Sequence, residues 1–593
     1  MGENNFIKKL AYLYKTSVEI IQEYGLLYFL RFGSSQVKQQ KLDILKPKDN
    51  YEKLIIKKTL DKKTQYKIWK AKQEEQSTST QLSTHDNPLS VVLIIRKKSK
   101  TLVKCIEAVL AQSFSKFELV IVTDNQEAFE TIKEVTNTKP NSNASIRLKL
   151  FNTNESFSIS ELLEITSGDL VGFLDETVFL KKNCFNQIIS ESLENTTSDL
   201  FYSDEEILQK NDEIPFFKPD WSPYLSLFRN YMGNFFFVRR SLLRKIERNE
   251  SFHGENFLWF LYQSYEIAEK IFHIRSILYS SEGDKYLELK KIIPKILENR
   301  NLDSSMQDSS KNDHYEINFT LNKQPKVSII IPTKDNGFLL RRCLRSIEYN
   351  TDYENYEIII IDNNSKKNET KQFLKSLPYK VISYNENFNF SKMNNVAVSN
   401  SSGEYLLFLN DDTEALMPKW LSEMVSVCQQ KDVGAVGAKL IYRTNKIQHA
   451  GMVFLKNGFF FHPFDHEPFQ SNTQFNFINL MRECSSVTGA CLLTKREIFE
   501  HVSGFDEQFD VFYGDSDLCF KIRELGFKII YTPQAVLRHD GSTKIRQAVR
   551  LFIPVENHDS FINKWKFVKY GDPFYNPNLG WNYSINIDEI DSN

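Results

Sequence analysis

Three polar residues, Asn410, Asp411 and Asp412, directly follow a short apolar run at residues 405–409. The run predicts a buried strand, so the three side chains are expected just past its end. In α/β sheets, ligands bind at the carboxyl ends of strands, and closely spaced oxygen atoms there suit a hard cation such as Mg²⁺ or Mn²⁺. Such a cation can hold a diphosphate. The alternative is an acidic turn that caps the next helix, since Asp and Asn favour turns and helix caps.

The elements that must position these residues occur twice along the chain. Apolar runs at 88–95 and 325–331 each predict a strand, and each is followed by a predicted helix and a second strand. Further on, GDLVGFLD at 168–175 repeats GEYLLFLN at 403–410. A repeat of this length indicates the duplication of a whole domain. Because strands alternate with helices, each copy is predicted to be an α/β domain with a mainly parallel sheet.

Length and composition set the outer bounds. A chain of 593 residues with 41% hydrophobic and 25% charged residues is typical of a globular protein with several domains. Its net charge of −1 provides no general basic field, so no nucleic-acid partner is expected. No apolar run is long enough to cross a membrane, and no secretory signal is recognisable. The seven cysteines lack paired spacing, which favours free thiols and a cytoplasmic location.

The N-terminal residues combine an amphipathic pattern with basic charge. Residues 5–32 repeat apolar side chains at helical spacing, and residues 38–72 contain 12 Lys against four acidic residues. This combination suits a peripheral contact between residues 5–72 and the anionic inner face of the cell membrane. The alternative is a helix docked on the protein's own core, followed by a solvated linker. Residues 74–87 are polar and rich in Ser and Thr, which predicts a linker.

Nine sequence blocks follow one another in the second copy, and their order is more specific than any single block. They are VSIIIPTKD (327–335), IDNNS (361–365), FNFSKMNN (388–395), FLNDDTE (408–414), QHAG (448–451), VTGA (487–490), GFDE (504–507), YGDSDLC (513–519) and YTPQAVLRH (531–539). Together they resemble family 2 glycosyltransferases of the GT-A fold, of the two-domain kind associated with rhamnosyl and O-antigen or other surface-polysaccharide transfer. YSDE (202–205), FKPDWSP (217–223) and DPFYNPN (572–578) fit the same group.

The repeat and the resemblance together predict two tandem GT-A domains, Rossmann-like with mainly parallel sheets, preceded by a helical extension. The predicted boundaries are an amphipathic and polybasic extension at 1–75, a linker at 76–87, a degenerate domain at 88–301, a junction at 302–324, and a catalytic domain with a C-terminal tail at 325–593.

The resemblance also implies roles for individual residues. Asp515 is expected to be the catalytic base, and Asp412 and His539 are expected to bind Mg²⁺ or Mn²⁺. Contacts with the nucleotide sugar are expected from nine residues: Pro332, Thr333, Asp335, Asp362, Asn364, Asn394, Asn395, Asp411 and Gly489. Structural alternatives remain, because Asp362 could cap the turn that follows it and Asp515 could cap its helix.

These groups match the chemistry of sugar transfer. A nucleotide-diphosphate sugar releases a charged phosphate, which a divalent cation neutralises, and the acceptor hydroxyl must lose its proton to a base such as a carboxylate. A single displacement inverts the anomeric centre, an expectation that rests on the family. The resemblance implies a lipid-linked or polymeric glycan as the acceptor.

The first copy departs from the pattern at four blocks. It has LDETV at 174–178, GEN at 254–256, IRKK at 95–98 and ILYSSE at 277–282, where the metal, base, first-turn and histidine blocks are expected. An amide such as Asn256 cannot act as a carboxylate base. The first copy is therefore predicted to be non-catalytic. The alternatives are two active domains, a glycan-binding scaffold without activity, or another nucleotide-diphosphate enzyme, although the Gly-rich phosphate loop common in that last class is missing.

Overall fold

The computed structural model gives a description of most of the chain after residue 60. The described residues are 61–77, 89–95, 101–123, 125–138, 145–150, 157–209, 212–246, 256–282, 286–308, 315–469, 471, 474–541, 555–580 and 583–586. The predicted helix at 5–32, most of the linker at 76–87 and the first-turn block at 96–98 lie outside them.

Residue contacts divide the chain into two compact units. The N-terminal unit contains residues 62–320, the short segment 480–483 and the described part of the tail after residue 571. The C-terminal unit contains residues 321–479 and 484–571. The tail was expected to belong with the second domain, but Asn576 Nδ2 lies 3.0 and 2.9 Å from the two carboxylate oxygen atoms of buried Asp204. No sequence pattern indicated that partner.

The N-terminal unit alternates strands with helices. Its strands are β1 (Leu89–Ile95), β2 (Phe117–Thr123), β3 (Ser145–Leu150), β4 (Leu170–Asp175), β5 (Val178–Leu180), β6 (Leu200–Gln209), β7 (Asp212–Phe216), β8 (Phe236–Arg239), β9 (Ile271–Glu282), β10 (Ser304–Asp308) and β11 (Tyr315–Phe319). Its helices are α1 (Lys62–Ser77), α2 (Leu102–Leu110), α3 (Gln126–Thr138), α4 (Ile159–Ile165), α5 (Cys184–Glu194), α6 (Pro223–Ser226), α7 (Arg240–Leu243), α8 (Asn256–Ile267) and α9 (Ile293–Asn299). The predicted junction at 302–324 contains the antiparallel pair β10 and β11.

Residues 321–571 alternate in the same way. The strands are β12 (Val327–Thr333), β13 (Tyr356–Asp362), β14 (Lys380–Ser383), β15 (Tyr405–Leu409), β16 (Thr413–Ala415), β17 (Val433–Ile441), β18 (Ile447–His449), β19 (Val453–Phe454), β20 (Phe460–Phe461), β21 (Arg482–Glu483), β22 (Cys491–Lys495) and β23 (Lys528–His539). The helices are α10 (Gly337–Tyr349), α11 (Asn368–Ser376), α12 (Phe390–Ser399), α13 (Trp420–Cys428), α14 (Arg496–His501), α15 (Gly514–Glu524) and α16 (Val555–Lys564).

The two main sheets have the same strand order. It runs β3-β2-β1-β4-β8-β6-β9-β5 in the N-terminal unit and β14-β13-β12-β15-β22-β17-β23-β16 in the C-terminal unit. In both, the first four strands are parallel and the strand after them is antiparallel. The inner parallel strands β1, β4, β12 and β15 are largely apolar, as expected for a sheet with helices on both faces. Each unit therefore has the mixed α/β fold, with a mainly parallel first half, that the repeat predicts.

Helical spacing explains how the covering helices pack. In α10 the buried residues are Leu340, Cys343, Leu344 and Ile347, which recur every three or four positions and form one stripe. Each fully buried side chain of this size contributes about 1.5–3 kcal/mol of transfer free energy. The predicted strand at 405–409 matches β15, and all five of its residues are buried.

Strand β23 is interrupted by a bulge. It runs from Lys528 to His539, through the block at 531–539. Its register against β17 shifts between Ala438 and Lys439, whose partners are Thr532 and Val536. A bulge accommodates Pro533, which cannot donate to the ladder of hydrogen bonds, and lets the strand deliver His539 to the sheet edge.

Helix α1 corrects part of the membrane prediction. Tyr66 and Trp69 are almost fully buried, the Tyr66 hydroxyl donates to Glu206 at 2.6 Å, and Lys70 lies 3.1 Å from Glu206. The aromatic ring of Trp69 packs edge-on against Phe217. Residues 62–72 of the basic segment are therefore docked on the N-terminal unit, which is the alternative arrangement. The rest of the predicted membrane-contacting segment, 5–60, lies outside the described residues.

Candidate active site

The site residues of the C-terminal unit gather where three neighbouring strands end. Strand β12 lies between β13 and β15, and Thr333 at its end is paired with Asp362 at the end of β13. Asn410, Asp411 and Asp412 follow β15 directly. The carboxyl ends of parallel strands meet at one edge of the sheet. The order of the strands in the sheet therefore brings together residues that are far apart in the sequence.

Asp411 is half-buried and points at the end of β12. Its two carboxylate oxygens accept hydrogen bonds from the Thr333 hydroxyl at 2.7 Å and the Asn336 amide at 3.1 Å. Burial, together with the nearby charge of Asp412, raises the pKa of Asp411 to about 7, and the two donors oppose that shift. Asp411 therefore links β12 and β15, and it could hold a proton at neutral pH.

Asp412 and His539 face one another because two edge strands are paired. Thr413 on β16 is opposite His539 on β23, which sets Asp412 Oδ1 3.0 Å from His539 Nε2. The Gly541 amide donates to the other oxygen of Asp412 at 3.0 Å. Burial alone would raise the pKa of Asp412, but the imidazole and the Gly541 amide outweigh it, and the pKa is lowered. Asp412 is thus held as a carboxylate.

Gln448 completes this arrangement, and sequence reasoning noted its block without assigning it a role. Its side chain is fully buried on β18, and its Oε1 atom lies 2.6 Å from His539 Nδ1. An amide oxygen can only accept, so Nδ1 carries the proton and Nε2 is turned toward Asp412. Fixing one ring nitrogen in this way is how proteins orient a metal-binding histidine. The signal in the sequence was the QHAG block itself.

The spacing of this pair fits two neighbouring ligands of an octahedral cation. Ligand atoms about 2.1 Å from Mg²⁺ or Mn²⁺ and at right angles to each other are about 3.0 Å apart, which is the observed distance between Asp412 and His539. Within the described part of the chain, no group of three or more His, Cys, Asp or Glu side chains could hold a metal by itself. Asp412 and His539 are thus the two described side chains whose spacing suits such a cation.

Asp515 lies in the first turn of α15. Its Oδ2 atom accepts the Gly489 backbone amide at 2.9 Å, and its Oδ1 atom accepts the Ser516 amide at 2.8 Å. Burial raises the pKa of Asp515, and these two amides oppose the shift. A Cβ atom at Gly489 would lie 3.0 Å from the Phe390 ring and 3.6 Å from Asp515 Cβ, so Gly489 allows this close approach. Asp515 as a residue is half-buried.

Asp362 makes the structural turn that was the alternative to ligand binding. Its Oδ1 atom accepts the amide and the hydroxyl of Ser365 at 3.1 and 2.5 Å. In the preceding loop, Asp335 Oδ1 accepts the amides of Lys366 and Lys367 at 2.6 and 2.7 Å, and Asp335 adopts a positive φ of 53°. These bonds join the loops after β12 and β13 into one wall.

Three further predicted residues occupy that wall or the helix behind it. Pro332 is half-buried in β12 opposite Ile361. Asn364 has a positive φ of 55° and accepts from the Lys366 ammonium at 2.8 Å. Asn394 is fully buried on α12, where its amide donates to the Phe390 carbonyl at 2.8 Å.

Asn395 has structural partners of its own. Its Oδ1 atom accepts the Phe505 amide at 3.0 Å, and its Nδ2 atom donates to the Phe505 carbonyl at 2.9 Å and to Glu507 at 3.1 Å. The side chain therefore fastens the GFDE segment to α12. A direct contact between Asn395 and a nucleotide remains a prediction.

The N-terminal unit has different groups at the equivalent positions. Val178 on β5 is paired with Ser281 on β9, just as Thr413 is paired with His539, so Ser281 stands where the histidine would be. Asp175 accepts the amide and hydroxyl of Thr177 at 3.0 and 2.5 Å and the Asn234 amide at 2.8 Å. Its carboxylate is fully buried and accepts hydrogen bonds from residues of its own unit.

The N-terminal unit also contains a buried lysine with closely packed partners. Lys218 is fully buried, and its ammonium lies 2.8 Å from both the Tyr279 hydroxyl and the Met232 carbonyl. Gly233 is so close to this pair that a Cβ atom there would lie 2.3 Å from the Tyr279 hydroxyl. Asn256, the predicted replacement for the base, is exposed at the start of α8.

Curated relatives share long stretches with this chain. The O-antigen biosynthesis protein RfbC of Myxococcus xanthus is 34% identical over 449 residues, which are 72% of this chain and 34% of RfbC. The uncharacterized protein y4gI of Sinorhizobium fredii is 30% identical over 523 residues, 82% of this chain and 57% of y4gI. The chain thus spans about a third of the first relative and just over half of the second.

A shorter match covers part of an enzyme with a stated activity. The GalNAc(5)-diNAcBac-PP-undecaprenol beta-1,3-glucosyltransferase of Campylobacter jejuni is 36% identical over 98 residues, 16% of this chain and 31% of that enzyme. The family model described as "Glycosyl transferase family 2" matches twice, at residues 90–247 and 328–503, which together are more than half of the chain. The repeated strand order and the two matches confirm the resemblance, and the chain belongs to glycosyl transferase family 2 with two GT-A domains in tandem.

Proposed function

We propose that this chain is an inverting glycosyltransferase that moves a sugar, a hexose or rhamnose, from a nucleotide-diphosphate sugar to a hydroxyl of a lipid-linked or growing surface glycan. The active site is in the C-terminal unit, and the N-terminal unit is non-catalytic. The observation that carries the proposal is the contrast between the poised Asp412, His539 and Asp515 and their replaced counterparts in the other unit.

Donor binding is assigned to the edge formed by β12, β13 and β15. The loops after β12 and β13 form the wall for the nucleotide, with Thr333 and Asp362 at its base. Asp412 and His539 would hold Mg²⁺ or Mn²⁺, which when bound neutralises the charge of the leaving diphosphate. The fit rests on their 3.0 Å separation and on the orientation that Gln448 imposes.

Proton transfer is assigned to Asp515. The carboxylate accepts the proton of the acceptor hydroxyl as that oxygen forms a bond to the anomeric carbon and the bond to the diphosphate breaks. The Gly489 amide holds one carboxylate oxygen, so the side chain is fixed before the acceptor arrives. A single displacement of this kind inverts the anomeric centre.

The acceptor class is supported by relatives rather than by contacts. One relative is named for O-antigen biosynthesis, and another transfers to a sugar carried on undecaprenol diphosphate according to its name. Both names concern glycans, and the second concerns a lipid-linked one. We therefore propose a cytoplasmic protein that works at the inner face of the membrane. The proposed contact is peripheral and uses residues 5–61, the part of the 5–72 segment that precedes α1. Among the described helices, none is long and apolar enough to span a membrane.

The test is a screen of nucleotide sugars by thermal shift, with and without Mn²⁺, followed by transfer assays with the donors that bind. A ligand that binds only the native state raises the melting temperature, so the correct donor should do so in a manner that depends on Mn²⁺. Asp412→Asn should lose that dependence, whereas Glu176→Gln in the N-terminal unit should keep it. If no donor is bound, transferred or hydrolysed, the proposal fails and the glycan-binding scaffold remains as the alternative.

A further inference from the structure

Helix α16 and the turn after it pack against the helix that carries Asp515. Seven buried side chains form one cluster that joins α15, α16 and the β19–β20 hairpin region: Phe454, Phe509, Tyr513, Phe520, Phe561, Trp565 and Val568. Within it, the Tyr513 ring stacks on Phe561 at 4.5 Å, and Trp565 meets Phe520 edge-on at 5.4 Å. Aromatic pairs in these geometries are worth about 0.5–1.5 kcal/mol beyond their buried area. The contact is therefore a packed interface.

Polar contacts fix the register of this interface at both ends. Near the start of α16, the His558 Nδ1 atom lies 2.7 Å from the Tyr513 hydroxyl, and Asn557 donates to Asp510 at 3.2 Å. At the other end, Lys564 and the indole N–H of Trp565 reach the same carboxylate oxygen of Asp517, at 2.7 and 2.9 Å. Helix α16 thus cannot slide along α15 without breaking bonds at one end.

Asp517 is the central group at the Lys564 end of this interface. Its side chain is fully buried, and Lys521, one turn further along α15, lies 3.6 Å from its other oxygen. A buried carboxylate is costly unless cations and donors surround it, so its position between Lys564, Trp565 and Lys521 is strongly preferred over any other. An apolar residue would pack equally well from several angles, whereas this charge specifies one.

Helix geometry makes Asp517 relevant to Asp515. Residues two apart on an α-helix are about 200° apart around its axis, so the two side chains leave nearly opposite faces. Asp515 faces the Gly489 amide, and Asp517 faces α16. Holding Asp517 in place therefore fixes the rotation of α15, and with it the direction of the Asp515 carboxylate. Tyr513, the residue directly before α15, has a positive φ of 67°, and its hydroxyl contacts His558 of α16.

We propose that Asp517, held by Lys564 and Trp565, is a positioning residue for the catalytic carboxylate of Asp515, and that α16 is the element that sets its orientation. This inference rests on the proposed function, because it assumes that Asp515 is the base. It adds a role that the resemblance did not imply for Asp517. A misplacement of about 1 Å in a reacting group can cost about 100-fold in rate, so a small rotation of α15 would be detectable.

The test compares two variants of the full chain, Trp565→Phe and Lys564→Met, with Lys566→Met as the matched control. Lys566 is an exposed neighbour in the same segment. Each of the first two removes one partner of Asp517 and keeps much of the apolar volume. We expect kcat to fall about tenfold in each, with the KM for the donor nearly unchanged and the acid limb of the pH profile displaced. Lys564→Arg should restore most of kcat, because it restores the cation.

Two outcomes would overturn the proposal. One is an unchanged kcat per folded molecule in both variants, with only the melting temperature lowered, which would show that Asp517 is purely structural. The other is a rise in the donor KM with kcat retained, which would assign α16 to donor binding. Asp515→Asn is measured in the same assays: if that variant remains active, the base assignment itself fails, and the two failures are thereby separated.

Discussion

The two units have different side chains at equivalent positions of their main sheets. Glu206 on β6 is opposite Ser280, and in the C-terminal unit Ile441 on β17 takes the equivalent place opposite Arg538. Glu206 is buried and bonded to Tyr66, Lys181 and Ser280. The buried carboxylate of Glu206 thus has partners within the N-terminal unit, whereas Asp411 and Asp412 of the C-terminal unit lie where the parallel strand β15 ends.

The difference shows that a carboxylate at a strand end is not by itself a sign of chemistry. Asp175 is as buried as any residue of its unit, but three donors of that unit bind it. Asp412 instead faces an imidazole whose other nitrogen is already committed to Gln448. A carboxylate with structural donors stabilises the fold, whereas the pairing of Asp412 with an oriented imidazole supports the metal site proposed above.

The largest effect is expected when the proposed base of the C-terminal unit is replaced by an amide like Asn256 of the N-terminal unit. Asp515→Asn keeps the size of the side chain but removes its basicity, so transfer should fall about 10³-fold. Asn256→Ala, at the equivalent place in the N-terminal unit, should leave the rate unchanged. Initial rates with a radiolabelled donor measure both. Substantial activity in Asp515→Asn would mean that another group is the base, either in this unit or in the N-terminal unit.

Exchanging the histidine for its counterpart tests the metal site. His539→Ser copies Ser281 and removes one of two protein ligands, so we expect a loss of about 100-fold at limiting Mn²⁺, partly recovered at high Mn²⁺. The measurement is the Mn²⁺ dependence of the rate. An unaltered Mn²⁺ dependence would exclude His539 from metal binding.

The pH dependence of the C-terminal unit follows from the raised pKa of Asp515. A base must be ionised, so kcat should rise with pH through this pKa, and the acid limb should lie above the usual Asp value of about 3.9. Below the pKa, kcat should fall tenfold per pH unit. A profile of kcat between pH 4 and 9 tests this, with far-UV circular dichroism at each pH as the control for folding. A flat profile down to pH 4 would contradict it.

Gln448→Leu tests the residue that orients His539. Its loss should lower activity about tenfold and weaken Mn²⁺ binding, since partners of metal ligands typically contribute 10- to 100-fold. Titration with Mn²⁺, followed by the melting temperature in the presence of donor, provides the measurement. The Mn²⁺ affinity should fall in Gln448→Leu while the donor affinity without metal is kept; equal loss of both would indicate general misfolding.

Glu206→Gln should have the smallest effect on transfer and a clear effect on stability. Burial raises the pKa of Glu206, but Lys181, Tyr66 and Ser280 outweigh it and lower the pKa to about 2. A lowered pKa contributes stability that is complete above the unfolded value of about 4.5 and is lost as pH falls toward 2, here on the order of 3 kcal/mol. Urea unfolding at pH 7 and pH 3 measures it. The exposed Glu213→Gln should change stability by less than about 1 kcal/mol.

Much of the fold could be predicted because its signals are local. The apolar run of β15 and the stripe of α10 follow from spacing alone. The site was predicted less completely. Asp412, His539 and Asp515 were expected from their blocks, and the structure sets the first two 3.0 Å apart. Gln448 was not assigned, because its role depends on contact with a residue 91 positions away.

The sequence by itself determined that this chain has two similar α/β domains and that only one retains the acidic set, because repeats, apolar runs and residue types are written along the chain. Only the tertiary structure decided which partner each group has. Asp175 accepts a hydrogen bond from Asn234 of its own unit, Asp362 accepts one from Ser365 in a turn, and Asp517 pairs with Lys564 of α16. The reason is physical. Periodicity reports which face of an element is buried, whereas hydrogen bonds and charges depend on distances between elements far apart in sequence.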